Sequence, residues 1–344
     1  CRPVRVTSQV EPAGTVRPST GVIKKVMKAR SLNRKSLPLV VGPEGGAGPT
    51  AETLFALCRA RGDELRARLL ECGALLLSGF PPLGADGFAR FVREFSGREP
   101  LDYVGGASPR VKLGGGLYTS TEYPSRYSLS LHNELSYTYR WPAHLYFYCE
   151  TAPAAGGETP LGDSRSILGN LDGEVVGRFK SKGVKYVRNL GGAAGAGYSW
   201  QEAFETEERA EVEAYCRAGG IQMEWGADGG LRLSEVRPAT ARHPSTGEEV
   251  WFNQAEGFHP SALDAEDYGA LTAAAGEEGL RLNAFYGDGS PLDPASLAHV
   301  RAVTRAEMVL VPWQTGDILV LDNLLACHGR MPFKGPRRIL LAMT

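Results

Sequence analysis

Two histidines and a glutamate place the strongest constraint on how this chain can fold. His132 and Glu134 stand two residues apart, and His328 stands near the C-terminal end. In a β-strand, residues i and i+2 point to the same face, so His132 and Glu134 can share one face. If a strand distant in sequence brings His328 beside them, the three side chains can hold one metal ion and leave its opposite side open. Non-heme Fe(II) oxygenases use such a ligand set.

The residues that follow His328 could complete such a site. Arg337 and Arg338 open an apolar stretch, Ile-Leu-Leu, which predicts a strand. An arginine on this strand could form a bidentate pair with a carboxylate of a cosubstrate bound to the metal. Because adjacent residues of a strand face opposite sides, only one of the two arginines can point inward. A His-x-Glu pair alone is weak evidence, since it occurs by chance in many chains.

Several further stretches occur in a characteristic order along the chain. They lie at residues 103–110, 147–150, 156–160, 251–253, 311–317 and 328–338. Together with the His132–Glu134 pair, they make the chain resemble the taurine dioxygenase/clavaminate synthase-like family of Fe(II)/2-oxoglutarate-dependent oxygenases. The resemblance runs from about Leu37 to the end of the sequence. It is closest for the clavaminate synthase-like branch, which includes hydroxylases of amino acids held on carrier proteins.

The resemblance implies a fold and a set of residue roles. The fold is α+β with a mainly β core, a double-stranded β-helix (jelly roll) with flanking helices. His132, Glu134 and His328 would bind Fe(II) and form the catalytic centre. Alignment of the Arg-Arg-Ile triplet with taurine dioxygenase selects Arg338 as the partner of the distal carboxylate of 2-oxoglutarate, with Thr159 assisting.

The implied reaction consumes 2-oxoglutarate and O2 at Fe(II), releases succinate and CO2, and normally hydroxylates an unactivated C–H bond. The preferred substrate is an amino acid or an amino-acid-derived molecule, free or tethered to a carrier protein. The residues predicted to line its pocket are Tyr137, Tyr139, Trp251, Asn253 and Arg337. Taurine is not expected, because Ala342 occupies the position where taurine dioxygenase has its sulfonate-binding arginine.

Three other classes of protein stay open at this point. A redox-inactive lyase or hydrolase could hold Zn(II) on the same ligands, and it would need neither Arg338 nor Thr159. The intact ligand set disfavours a non-enzymatic binding barrel. Glu134 disfavours a halogenase of the same fold, because those enzymes replace the carboxylate ligand with a small residue. Within the oxygenases, desaturation or ring closure could take the place of hydroxylation.

Composition indicates a globular chain with a small-molecule partner. Of 344 residues, 42% are hydrophobic and 22% are charged, which is ordinary for a globular protein. The net charge of -1 gives no reason to expect nucleic acid or a membrane surface as a partner. The six cysteines lack C-x-x-C pairs, which favours free thiols in a reducing compartment, cytoplasmic or organellar. The sequence does not indicate an oligomeric state.

The chain divides into a short basic arm and one large domain. Residues 1–35 contain nine Lys or Arg and a single acidic residue, Glu11. We predict that residues 1–36 form a solvated, flexible arm, and the alternative is the remnant of a transit peptide. Residues 37–344 are predicted to form a single oxygenase domain.

Hydrophobic periodicity and turn residues predict the secondary structure. Helices are expected at 51–72, 85–95, 164–182, 201–219 and within 263–280, and the resemblance implies a further helix at 294–307. Strands are expected at 74–80, 128–135, 144–150, 221–225 and 316–323, with a hairpin at 239–252 whose second half, 249–254, is a barrel strand. Loops are expected at 42–50 and at the Gly/Ala-rich segment 189–198, which is a candidate lid.

Overall fold

The computed structural model describes residues 28–31, 37–43, 48–191, 198–263, 265–276 and 279–344. The strands are β1 Lys28–Ser31, β2 Leu39–Gly42, β3 Ala74–Leu77, β4 Lys112–Gly114, β5 Leu117–Thr119, β6 Leu129–His132, β7 His144–Thr151, β8 Ala155–Gly156, β9 Thr159–Asp163, β10 Val184–Leu190, β11 Gln222–Trp225, β12 Leu231–Arg237, β13 Thr240–Arg242, β14 Glu249–Trp251, β15 Leu282–Tyr286, β16 Val309–Val311, β17 Ile318–Asp322, β18 Ala326–Arg330, β19 Phe333–Lys334 and β20 Arg338–Met343. The helices are α1 Ala51–Cys72, α2 Gly84–Ser96, α3 Ser164–Asn170, α4 Gly173–Lys182, α5 Trp200–Phe204, α6 Arg209–Gly219, α7 Ala255–Phe258, α8 Ala265–Ala275 and α9 Pro294–Glu307, with a 3-10 helix at Pro260–Ala262.

The central strands of the largest sheet, β3, β17, β7 and β20, are buried on both faces. Its strands follow the order β1-β2-β3-β17-β7-β20-β5-β4, and β7 lies antiparallel between β17 and β20. Side chains alternate along these strands. Phe147 and Leu341 join the central core, whereas Tyr148 and Leu340 pack in a second cluster with residues of α1 and α2. Helices therefore cover one face of this sheet, and the other face is free to form the barrel interior.

A second sheet closes the barrel. It has the order β16-β9-β18-β6, with antiparallel neighbours throughout. Leu161 of β9 and Cys327 of β18 belong to the same core cluster as Phe147 and Leu341 of the large sheet. Two sheets, antiparallel except for the parallel pair β2–β3, thus face each other across one apolar core, which is the double-stranded β-helix that the resemblance implied.

Helix α1 has clear end signals in the sequence. The side chain of Thr50 accepts a hydrogen bond from the backbone N–H of Thr53, and the Thr53 side chain accepts one from the backbone N–H of Thr50. The helix ends at Gly73, which adopts the left-handed conformation with φ of 76°. Its buried Leu65 and Leu69 pack toward the large sheet, and each such burial contributes roughly 2 kcal/mol.

A smaller sheet positions a loop near the barrel mouth. Its order is β11-β12-β10-β15, and it packs with α5 and α6 in a separate cluster. Arg188 of β10 is fully buried, pairs with Glu235 at 2.9 Å, and donates to the carbonyl oxygen of Gly105 at 2.7 Å. The hydrogen bond from Arg188 to Gly105 thereby ties the loop at 103–110 to the smaller sheet.

Several predicted elements differ in detail from the structure. The helix predicted at 164–182 is two helices, because Asp172 caps α4 and interrupts the run. The helix predicted at 201–219 is likewise divided at Glu205, which has a left-handed φ of 52°. The predicted hairpin exists, but β13 and β14 form a two-stranded sheet of their own and contribute no barrel strand.

Two predicted loops and the arm are described only in part. Most of the segment at 189–198 lies outside the described residues, as does part of 42–50. Of the predicted arm, residues 28–31 form β1, which pairs with β2 and extends the large sheet, and the rest lies outside the described residues. The described cysteines are all buried and free. Among the described helices, none combines the length and the apolar character needed to span a bilayer.

Candidate active site

The three predicted metal ligands converge at one end of the barrel. Strands β6 and β18 pair antiparallel, with His132 directly opposite His328, and the two ring centroids are 4.4 Å apart. Oε2 of Glu134 lies 3.8 Å from Nε2 of His328 and 4.0 Å from Nε2 of His132. One ligand atom of each residue lies within 4.8 Å of the others. Glu134 reaches this position from the turn that follows β6, whereas the sequence placed it in the strand itself.

The donor atoms of the triad suit a divalent metal ion. Nδ1 of His132 lies 2.9 Å from the backbone oxygen of Ser130, so Nδ1 carries the proton and Nε2 presents its lone pair. Burial, and then the neighbouring His132 and Arg110, lower the pKa of His328 well below its ordinary value, so this ring is neutral. Two neutral imidazoles and one carboxylate form the ligand set that Fe(II) takes in non-heme oxygenases.

Two buried asparagines hold the turn that carries Glu134. Oδ1 of Asn323 accepts the backbone N–H of Glu134 at 2.8 Å, and Nδ2 of Asn323 donates to the carbonyl oxygen of Glu134 at 3.0 Å. Asn133 in turn donates to the backbone oxygen of Asn323 at 2.7 Å. The turn after β6 is therefore tied to the turn before β18. The sequence analysis assigned no role to either residue, because bonds between such distant segments leave no local pattern.

The sequence analysis also assigned no role to Arg110, which lies beside the triad. Nη2 of Arg110 is 2.8 Å from Oε2 of Glu134, and both side chains are only 3% exposed. The Arg110 guanidinium lies over the ring of Tyr103, 4.5 Å from its centroid. Burial is the largest single effect on the pKa of Arg110 and lowers it, but Glu134 and the neighbouring Tyr103 and Tyr198 together raise the pKa above its ordinary value. The family-like stretch at 103–110 indicated this segment of the chain, although it did not indicate the residue.

The structure contradicts the prediction that Arg338 points into the barrel. The Arg338 side chain is 52% exposed and forms an ion pair with Glu150. Arg337 instead lines a recess together with Thr159, His328 and Ser120. The inward residue of the pair is therefore Arg337, which the sequence analysis had placed in the substrate pocket.

Alternation along β20 shows which of the two arginines faces the barrel interior. Along β20, Arg338 is opposite Thr151 and Ile339 is opposite Cys149, so Glu150 is the extra residue on β7. Ile339 packs in the barrel core, and alternation then turns Arg338 outward and Arg337 inward. The position four residues beyond Arg337 is Leu341, which is also not an arginine. Whichever of the two arginines binds 2-oxoglutarate, the sulfonate-binding arginine is missing, so taurine is still not expected as the substrate.

Some N–H donors of the Arg337 guanidinium have no hydrogen-bond partner among the described residues. Its Nε donates to the carbonyl oxygen of Gly157 at 3.2 Å, and its Nη1 donates to Oγ of Ser120 at 3.4 Å. No carboxylate of the described residues forms an ion pair with it. Burial, and then the charge of Arg330, lower the pKa of Arg337 to about 10. Thr159 accepts a hydrogen bond from Nε1 of Trp313 at 3.0 Å, so its own hydroxyl proton is free to donate.

A larger cavity of about 280 Å³ adjoins the triad. His132 and Glu134 form part of its wall, as do the predicted pocket residues Tyr137, Trp251 and Asn253. This cavity is the larger of the two spaces that reach the triad, and it has room for a small organic molecule.

Tyr139 does not line this cavity, so the prediction for this residue is wrong. It packs against Tyr215, with ring centroids 4.9 Å apart, in the cluster beside the smaller sheet. The residues after His132 form a turn, and the strand alternation that would place Tyr137 and Tyr139 on one face does not apply there.

Comparison with known proteins identifies relatives of this chain. The family model for "Taurine catabolism dioxygenase TauD, TfdA family" matches residues 33–344. The chain is 41% identical over 276 residues to the dapdiamide synthesis protein DdaC of Enterobacter agglomerans, covering 80% of this chain and 83% of that one. It is 32% identical over 322 residues to a clavaminate synthase-like protein of Arabidopsis thaliana, covering 90% and 94% respectively.

Solved structures support the fold. PvcB of Pseudomonas aeruginosa aligns with a TM-score of 0.53 at 15% identity, over 98% of this chain and 94% of that one. PvcB is described as an Fe, alpha-ketoglutarate dependent oxygenase from an isonitrile synthetic pathway. At this identity the likeness shows the fold, whereas the family match and the two relatives show the family. The chain belongs to the TauD/TfdA family of Fe(II)/2-oxoglutarate-dependent oxygenases.

Proposed function

We propose that this protein hydroxylates an unactivated C–H bond of an amino acid or amino-acid-derived molecule, free or tethered to a carrier protein. The observation that carries the proposal is the pair of spaces at the triad. One has Arg337 and Thr159 in its wall and suits a dicarboxylic cosubstrate. The other, of about 280 Å³, suits a small substrate. The relative named for dapdiamide synthesis and the clavaminate synthase-like relative support a small-molecule substrate of this class.

Each residue of the triad would have a defined task. His132, Glu134 and His328 would hold Fe(II) on one side and leave the other side to the cosubstrate and O2. The metal, when bound, supplies the chemistry that couples oxidation of 2-oxoglutarate to oxidation of the substrate. The asparagine clamp on the turn of Glu134 fixes the carboxylate relative to the two rings, which is the positioning that such a site requires.

The recess beside the triad would orient 2-oxoglutarate. The guanidinium of Arg337 can form a bidentate pair with the distal carboxylate, and the hydroxyl of Thr159 can donate to the same group. The hydrogen bond from Nε1 of Trp313 holds the Thr159 oxygen in place. With both ends of 2-oxoglutarate held, the keto acid end is presented to the metal in a single orientation.

The larger cavity would place the substrate and keep water out. Tyr137 is nearly fully buried and Trp251 is 5% exposed, so these two aromatic side chains are well packed where they line the cavity. The side chains of Arg110 and Glu134 are each only 3% exposed, so their ion pair is shielded from bulk water.

The test is a substrate screen with two independent readouts. Purified protein, Fe(II), 2-oxoglutarate and O2 are incubated with free amino acids and with their pantetheine thioesters, and His328→Ala serves as the inactive control. A substrate should accelerate succinate formation and gain the mass of one oxygen atom. A product lighter than its substrate by two hydrogen atoms would indicate desaturation or ring closure instead of hydroxylation. Succinate formation that no amino acid or thioester accelerates would contradict the proposed substrate class.

A further inference from the structure

Arg281 stands out among the basic residues around the larger cavity. It lies directly before β15, and its side chain lines the same cavity as His132 and Glu134. Its Nη1 donates to the carbonyl oxygen of Ala107 at 2.6 Å. No acidic residue of the described ranges forms an ion pair with Arg281, so the guanidinium has donors that face the cavity without an anionic partner.

The other charged groups of the cavity wall are already paired. Glu134 pairs with Arg110 at 2.8 Å, and Glu256 pairs with Arg301 at 2.9 Å. Neither carboxylate is therefore left to balance Arg281. Among the described residues of the cavity wall, no carboxylate offsets the positive charge of Arg281.

The Arg281 side chain is exposed to solvent on one side and has protein groups around it on the other. Desolvation by the surrounding protein lowers the pKa of Arg281, and the groups that oppose this effect are tyrosines, among them Tyr137 and Tyr123. Burial raises the pKa of both tyrosines above the ordinary value, so they are uncharged at neutral pH and cannot act as counter-ions. An anion that enters the cavity with the ligand would therefore give Arg281 a partner that the described residues do not supply.

We infer that Arg281 binds a carboxylate of the substrate and thereby selects molecules that carry a free acid group. A guanidinium offers five N–H donors in a planar fork, and the bond to Ala107 uses one side of it. The remaining donors can hold a carboxylate in a bidentate pair. This inference rests on the proposed function and deepens it, because it states which substrates are accepted. An amino acid whose only carboxyl group is esterified to a carrier would lack this contact.

The experiment compares ligands that differ only in the acid group. N-acetyl amino acids and their primary amides are titrated into protein loaded with Mn(II) and saturating 2-oxoglutarate without O2, and binding is measured by calorimetry. The variants are Arg281→Met, which removes the charge, and Arg281→Lys, which keeps the charge without the fork. Arg305→Met is the matched control, because Arg305 is an exposed arginine of α9 that does not line the cavity. Thermal unfolding and 2-oxoglutarate binding verify that each variant is folded.

The expected result is a preference for acids that depends on Arg281. Wild-type protein and Arg305→Met should bind at least one acid about ten-fold more tightly than its amide, which corresponds to ~1.4 kcal/mol. Arg281→Met should abolish this preference, and Arg281→Lys should restore part of it. Equal binding of acids and amides, a preference that survives in Arg281→Met, or no binding of any acid at millimolar concentration would overturn the inference.

Two controls separate this inference from its alternatives. Phosphopantetheine is titrated in the same way. If this phosphate binds in an Arg281-dependent manner and no acid binds, the ligand of Arg281 would be the phosphopantetheine arm of a carrier protein, and the inference of a substrate carboxylate would be wrong. Failure of 2-oxoglutarate to bind the Mn(II)-loaded wild-type protein would contradict the proposed function itself. The acid preference is measured separately from that binding, so the two failures are distinguishable.

Discussion

Replacement of Arg337 by alanine should weaken 2-oxoglutarate binding far more than replacement of Arg338. Arg337 faces the recess at the triad and has no carboxylate partner among the described residues, so the distal carboxylate of the cosubstrate would lose its cation in the variant. Loss of one partner from a desolvated charge pair costs about 2–5 kcal/mol. Because Arg337 is half-buried, the lower part of this range applies, and about 2–3 kcal/mol corresponds to a roughly 30- to 150-fold increase in Kd.

The neighbouring arginine supplies the matched control. Arg338 is exposed and pairs with Glu150 on the outside of the sheet, an arrangement worth at most about 1 kcal/mol of stability. Arg338→Ala should therefore leave the affinity for 2-oxoglutarate within about two-fold of wild type, because such an exposed pair contributes little. Arg337→Lys should recover only part of the loss in Arg337→Ala, since an ammonium group cannot reproduce the planar fork.

The assay is anaerobic calorimetry of 2-oxoglutarate binding to the Mn(II)-loaded protein, with the apparent KM for succinate formation as a second readout. Metal affinity is measured in parallel and should be nearly equal in the three variants. A larger loss in Arg338→Ala than in Arg337→Ala would refute the register of β20 described above. Every inward and outward assignment on that strand would then reverse.

Three further predictions concern the triad and its support. His132→Ala, Glu134→Ala and His328→Ala should each remove most Fe(II) binding and turnover, measured as iron content and succinate formation, and full activity in any of them would contradict the triad. Arg110→Met leaves the buried Glu134 carboxylate without its ion-pair partner, which should lower the free energy of unfolding by about 3–5 kcal/mol. The metal-free variant should therefore melt at a lower temperature and gain more from added Mn(II) than wild type does, whereas equal melting temperatures would refute this role. Asn323→Ala loses the bonds to the backbone of Glu134, so calorimetry should show weaker Mn(II) binding, and unchanged metal affinity would contradict the clamp.

Local sequence signals determined much of the secondary structure. The apolar spacing of α1 predicted this helix with the bounds that the structure shows, and the resemblance to the family did the same for α9. Where such predictions differ from the structure, a single residue accounts for the difference. Asp172 satisfies two backbone N–H groups at the start of α4 and thereby ends the preceding helical run. Apolar periodicity alone does not reveal a helix N-cap that lies within a continuous helical pattern.

The site could be predicted only as far as its residues form ordered motifs. His132, Glu134 and His328 were identifiable because their types and order match the ligand set of a known family. Arg110 and Asn323 act through contacts with segments far away in sequence, and one chain alone does not reveal those pairings.

The apolar pattern of β20 does not distinguish Arg337 from Arg338. Ile339 and Leu341 pack in the barrel core, whereas Leu340 and Ala342 pack against the helices, so both faces of the strand are apolar and the pattern does not indicate which face is inward.

The central claim is that this chain uses Fe(II) and 2-oxoglutarate at the His132, Glu134 and His328 site, and one measurement tests it most directly. Metal-free protein is loaded anaerobically with Fe(II) and then 2-oxoglutarate, and O2 is admitted last. We expect a weak visible absorption band that requires both additions, and succinate that forms only after O2 enters. Zn(II) in place of Fe(II) should give neither. Turnover that proceeds without 2-oxoglutarate, or equally well with Zn(II), would contradict the account and favour a redox-inactive metal enzyme on the same three ligands.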